Sequence, residues 1–151
     1  LTLSSFSQER NLPSVKVKNL KGELVNIQSL NNDGKPIVLN FWATWCKPCK
    51  KELNNIDEVY EEWQEETGVK IVAISIDDSR SVSKVKPYVN SSGWEYEVLI
   101  DSNRELARSL GVTTVPHTFL LNKDLKIIWE HKGYIDGDED KLFEEIENIT
   151  K

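Results

Sequence analysis

Cys46 and Cys49 are the only cysteines of the chain, and Lys47 and Pro48 separate them. At this C-x-x-C spacing, one thiol can reach a disulfide made by the other. Other chemistries use such a pair and must be weighed. A structural zinc site needs four ligands. Only His117 and His131 remain to complete one. Their separation does not match the short histidine spacing of zinc fingers, and both fall in strand-like stretches. A c-type haem site needs histidine directly after the second cysteine, and position 50 is Lys. An inert crosslink is conceivable, but closing so short a loop removes little chain entropy. Redox exchange leads these readings.

The flanking residues say how the pair is held. Ile37-Val38-Leu39-Asn40-Phe41 is apolar apart from Asn40, as expected of a central strand buried on both faces. A helical pattern runs from Pro48 to about Thr67 and stops at Gly68. Proline fits a first turn because no N–H is needed there. The cysteines thus sit where a strand hands over to a helix. Helix N-termini carry unsatisfied N–H groups and about half a positive charge, which stabilise a thiolate. Cys49, Leu53, Ile56, Tyr60 and Trp63 recur at helical spacing and predict the buried face. Cys46 is then the attacking thiol at an exposed tip, and Cys49 the resolving thiol. Lys47, Lys50 and Lys51 crowd the positive end of this helix against its dipole. There they add positive potential near Cys46. The glutamates from Glu58 to Glu66 read as a solvated face.

Phe41-Trp42-Ala43-Thr44-Trp45-Cys46-Lys47-Pro48-Cys49-Lys50 resembles the active-site segment of the thioredoxin superfamily. Thr114-Val115-Pro116 resembles its second hallmark, the cis-proline loop. The flanking pattern is similar to the exported ResA/TlpA-type thiol–disulfide oxidoreductases over residues 12–150. The resemblance implies an α/β fold. It has a mixed sheet with helices on both faces, an N-terminal hairpin, and a central helix–strand insertion within residues 79–110. It implies a cis Pro116 against the sulfurs, with the backbone at Val115 pairing with extended substrate, and Trp45, Lys47 and Pro48 facing the partner. Asn40 stands where thioredoxin has a buried aspartate. The ResA type shares that Asn, and has a glutamate near the cysteines that matches Glu52. Position 52 borders the buried row, so partial desolvation of Glu52 is expected.

The implied function is thiol–disulfide exchange with protein partners, without metal or organic cofactor. The enzyme would be re-reduced by an upstream thiol protein. It would be a monomer working in the periplasm or cell envelope, as in cytochrome c maturation. A peroxiredoxin-like peroxidase is the rival enzyme, but its motif wants Pro at Leu39 and Thr at Ala43. A non-catalytic binding module on the same fold is the other rival.

Composition fits this frame. A chain of 151 residues, 38% hydrophobic and 29% charged, suits one domain with a sizeable core. A net charge of −6 argues against a nucleic-acid partner. No apolar run approaches a membrane span. Methionine is absent, so the chain reads as processed or trimmed. Leu1 to Gln8 reads either as the tail of a removed leader or as an ordinary terminus. Residues 1–11 are expected to be mobile, and 12–151 to form the domain.

The remaining elements follow from pattern. Strands are expected at 14–18 and 24–27 as a hairpin, then at 69–76, 98–100, 118–121 and 126–131. Ser79 or Ser81 should cap a helix reaching Val89. A short helix follows over 103–110. A last amphipathic helix over 138–149 should turn Leu142, Phe143, Ile146 and Ile149 inward. His117 reads as a packing residue, His131 as surface, and Trp42 as core.

Overall fold

The computed structural model describes residues 9–151. Its strands are β1 (Lys16–Asn19), β2 (Leu24–Asn26), β3 (Ile37–Trp42), β4 (Lys70–Ser75), β5 (Glu97–Ile100), β6 (His117–Leu121) and β7 (Ile127–Lys132). Its helices are α1 (Lys47–Asp57), α2 (Tyr60–Thr67), α3 (Val85–Ser92), α4 (Glu105–Ser109) and α5 (Asp138–Thr150). The seven strands form one mixed sheet in the order β2-β1-β5-β4-β3-β6-β7. This is the thioredoxin-like arrangement that the motif pattern implied, N-terminal hairpin included.

β3 is the strand that positions the site. All six of its residues are buried. It pairs parallel to β4 in the register Ile37↔Lys70 through Trp42↔Ser75, and antiparallel to β6 with Phe41 opposite His117. The carboxyl ends of β3 and β4 therefore lie together. The loops that leave them, residues 43–46 and 76–81, share one end of the sheet, where ligands of parallel sheets usually gather. Alternation sends Asn40 and Thr118 to one face and Phe41, Phe119 and His117 to the other.

Several boundaries depart from expectation. The predicted 48–67 helix is two helices, broken at Glu58 and Val59, with Val59 at φ −118° and ψ 2°. Asp57 and Glu58 are carboxylates at a helix C-terminus, with no cation in that turn. They disfavour continuation, and the β-branched Val59 adds to this. The apolar row survives the break, since Tyr60 and Trp63 are both buried. α2 closes at Gly68 with φ +75°, a left-handed conformation suited to glycine. Ser81 precedes a 3₁₀ turn at Val82–Lys84 that leads into α3, but it makes no cap. Its hydroxyl donates instead to the buried Asp77 carboxylate at 2.7 Å. Ile149 is not inward. It lies in the last turn of α5 and stays 37% exposed.

Residues 1–8, expected to be mobile, lie outside the described residues. Arg10 and Asn11, expected to be mobile as well, are held. Arg10 exchanges backbone hydrogen bonds with Ile127 at 3.1 and 2.8 Å, and Asn11 Oδ1 accepts from Lys126 Nζ. Among the described residues, no helix is long and apolar enough to cross a membrane.

Candidate active site

Cys46 is the N-cap of α1, with extended backbone at φ −97° and ψ 103°, and Pro48 occupies the first turn. Its sulfur accepts the Cys49 backbone N–H at 3.3 Å, so the helix start points an otherwise orphaned donor at this atom. Cys46 and Cys49 are joined as a disulfide. Cys49 is fully buried, and Cys46 is only 5% exposed. The sequence placed Cys46 at an exposed tip, and the structure corrects that. Trp45, at 58% exposure, is the residue that stands out. Lys47 and Pro48 are exposed on the same first turn.

Pro116 is buried, and its bond with Val115 is cis. The Val115 carbonyl oxygen lies 3.7 Å from Cys46 Sγ. The cis bond is as the resemblance implied, and the loop before β6 meets the Cys46 sulfur through the Val115 carbonyl.

Glu52 is three residues beyond Cys49, and both lie on the buried face of α1. The sequence expected a partly desolvated flank, but Glu52 is 3% exposed. Asn40 Nδ2 donates to Glu52 Oε1 at 2.8 Å and to Thr118 Oγ1 at 3.0 Å, while Asn40 Oδ1 has no partner. Burial pushes the Glu52 carboxyl from 4.5 up to about 7. The Asn40 hydrogen bond opposes the rise, and Asp138 and Glu139 at the start of α5 add to it. A buried carboxyl that changes state near neutrality can take up or release a proton.

The lysines contribute less uniformly than their crowding suggested. Lys51 pairs with Asp136 at 3.1 Å. Lys50 Nζ lies 5.4 Å from the centre of the Tyr88 ring. His117, 1% exposed, places Nε2 2.8 Å from Glu130 Oε1 on the face away from Thr118. Burial holds its pKa below the usual value, against the opposing effect of Glu130. It is a packing residue, as expected. His131 is half-buried and bonds Asp138. Trp42 is core, packed on Tyr88 and Trp94. Among the described residues, no group of three or more His, Cys, Asp or Glu is arranged to hold a metal.

Sequence reasoning missed Asp77. This carboxylate is fully buried. Oδ1 accepts the Thr44 N–H at 2.9 Å and the Ser75 hydroxyl at 2.6 Å. Oδ2 accepts the hydroxyls of Thr44 at 2.6 Å and Ser81 at 2.7 Å. It fastens the loop before Cys46 to the loop after β4. The available signal was an acidic residue closing an apolar strand, at 75–77.

Comparison with known proteins agrees with this geometry. A family model described as the AhpC/TSA family matches residues 9–130. The chain belongs to that family. A relative in Bacillus cereus, called thiol-disulfide oxidoreductase ResA, is 34% identical over 151 residues. The match covers 96% of this chain and 83% of the relative. The solution structure of an uncharacterized thioredoxin-like protein from Porphyromonas gingivalis matches with a TM-score of 0.83 and 44% identity. It covers 92% of this chain and 91% of that one. StoA from Bacillus subtilis matches with a TM-score of 0.67 and 28% identity, covering 87% and 99%. With a disulfide-forming C-x-x-C pair at a helix N-cap, this AhpC/TSA member is a thiol–disulfide oxidoreductase.

Proposed function

We propose that this oxidoreductase is an exported reductase of protein disulfides. Cys46 is its attacking thiolate, Cys49 its resolving thiol, and Glu52 the group that carries the proton. The observation that carries the reading is Glu52. It shares the buried face of α1 with Cys49 and is pushed up to about 7. Asn40, beside it, has no proton to exchange.

The reduced enzyme attacks with the Cys46 thiolate, which the Cys49 N–H and the helix start favour. An S–Cys46 bond forms as the substrate S–S bond breaks, and the first substrate sulfur leaves as a thiolate that takes a proton. Cys49 then gives its proton to ionised Glu52 and attacks Cys46 Sγ. The second substrate sulfur leaves and is protonated. Two electrons have passed to the substrate, and the enzyme holds the Cys46–Cys49 disulfide. An upstream thiol protein returns the enzyme to the dithiol. Trp45, Lys47 and Pro48 face the partner, and the backbone at Val115 aligns an extended substrate segment.

Export, a monomeric state and service to selected cysteines, as in cytochrome c maturation, are supported by the likeness to ResA/TlpA-type proteins. The peroxidase alternative loses ground because Leu39 and Ala43 replace the Pro and Thr it wants, and both are buried.

An insulin-reduction assay on wild type and Cys46→Ser tests the activity. Turnover lost in the variant is expected, and equal turnover overturns the assignment. Labelling intact cells that express the natural gene with a membrane-impermeant maleimide tests export. Cys46 that is labelled only after lysis overturns it.

A further inference from the structure

A groove of about 700 Å³ opens beside the active-site loop. One wall is the stripe Lys84, Pro87, Tyr88 and Ser91, at the three- and four-residue spacing of one helix face. The stripe belongs to the inserted segment around α3. The facing wall is Thr44 and Trp45, and Trp45 directly precedes Cys46. Asp77 holds the two walls together from beneath through Thr44 and Ser81.

We propose that this groove docks the polypeptide flanking the substrate's reactive cysteine, and that it selects a segment carrying an apolar side chain together with a carboxylate. The inference rests on the reading that Cys46 receives protein disulfides. An extended chain advances about 3.3 Å per residue, so residues a few positions from a sulfur bonded to Cys46 fall within this groove. Its volume suits a few side chains. Trp45, Pro87 and Tyr88 supply apolar surface. Lys84 is the one charged residue in the lining, and Lys50 stands over the Tyr88 ring. The Asp77 carboxylate beneath is spent on four internal donors. Asp77 keeps its charge but turns no free oxygen to the groove, so the charge a docked segment meets directly is that of Lys84, on a chain whose net charge is −6. Recognition of an acidic segment must come from this local field, and salt should weaken it.

Three peptides test the proposal. Each has one cysteine, followed within about four residues by Phe and Asp, by Phe and Lys, or by Gly and Ser only. Each is presented as a mixed disulfide with 2-mercaptoethanol to the reduced protein. Every rate constant is divided by the same variant's rate on bis(2-hydroxyethyl) disulfide, so changes in intrinsic thiol reactivity cancel. The Phe–Asp peptide is expected to exchange about ten-fold faster than the Phe–Lys peptide, with the gap closing in added salt. Lys84→Glu should reverse the order, and Ser83→Trp, which fills the groove, should level it. In parallel, cysteine-to-serine peptides are titrated into the oxidised protein while tryptophan fluorescence is followed. Saturable binding is expected for the Phe–Asp peptide alone. Equal normalised rates with no selective binding overturn the proposal. So does a preference that both variants leave intact. Failure to reduce bis(2-hydroxyethyl) disulfide overturns the redox reading instead, and the fluorescence titration still decides the groove.

Discussion

The Cys49 backbone N–H donates to Cys46 Sγ at 3.3 Å, so one half of the C-x-x-C pair caps the helix that the other half is buried in. That relationship makes the sulfurs unequal. A charge on Cys46 is met by helix-start donors, whereas Cys49 has no exposure at all. In the reduced protein, limiting iodoacetamide should therefore alkylate Cys46 first, read by mass spectrometry of peptides. Faster labelling of Cys49 would reverse the proposed roles. Cys49→Ser should accumulate the mixed disulfide on Cys46, visible on a non-reducing gel.

Glu52→Gln removes a negative charge close to the pair. A carboxylate disfavours a nearby thiolate, so the variant should show a lower apparent pKa for Cys46. It should also resolve the mixed disulfide more slowly, because Gln accepts no proton. Thiolate absorbance near 240 nm, followed over about pH 3.5–8.5, measures the first effect. Stopped-flow exchange measures the second. Superimposable titrations and equal rates would reduce Glu52 to a structural residue.

The same carboxyl predicts a pH dependence of stability. Its pKa rises from 4.5 to about 7 on folding. Below 4.5 it is protonated in both states and carries no penalty. As pH climbs from 4.5 to about 7, the unfolded chain ionises first and the folded state falls behind. The deficit reaches roughly 3 kcal/mol at about 1.4 kcal/mol per pH unit. Urea denaturation of the oxidised protein should therefore find Glu52→Gln near wild type at pH 4.5 and more stable than wild type at about pH 8. A difference that does not change with pH would contradict the buried, near-neutral carboxyl.

Trp45 is apolar surface beside a buried sulfur. Trp45→Ala should slow reduction of a protein disulfide by about ten-fold, the scale of an aromatic contact residue. It should change the rate on bis(2-hydroxyethyl) disulfide much less. Equal losses on both substrates would mean that Trp45 acts by supporting the loop rather than by meeting the partner.

The strand–cysteine–helix junction is legible in the sequence because every signal for it is local. These are the apolar run of β3, the Pro48 start and the spacing of Cys49, Leu53 and Ile56. The break at Val59 is hidden because Tyr60 and Trp63 stay in phase across it. The depth of Glu52 is hidden for a different reason. It sits on the helix flank, and α5, about 90 residues later, packs against that helix. Asp77 gains its role from Thr44, 33 residues away, and no window along the chain contains both. The burial of Cys49 could be read from one helix. The burial of Cys46 could not, since the Val115 carbonyl that meets its sulfur lies 69 residues further on.

Asn40 has a further consequence. Its amide has a donating end and an accepting end, and a half-turn exchanges them. The donating end serves Glu52, and the accepting oxygen is unpartnered. An ionised Glu52 asks its neighbour for a hydrogen, and a protonated one offers its own. Asn40 can answer both requests without gaining or losing charge, where an aspartate would set a second anion against the first. The strand beneath the cysteines thereby keeps one charge, whatever the number of protons above it.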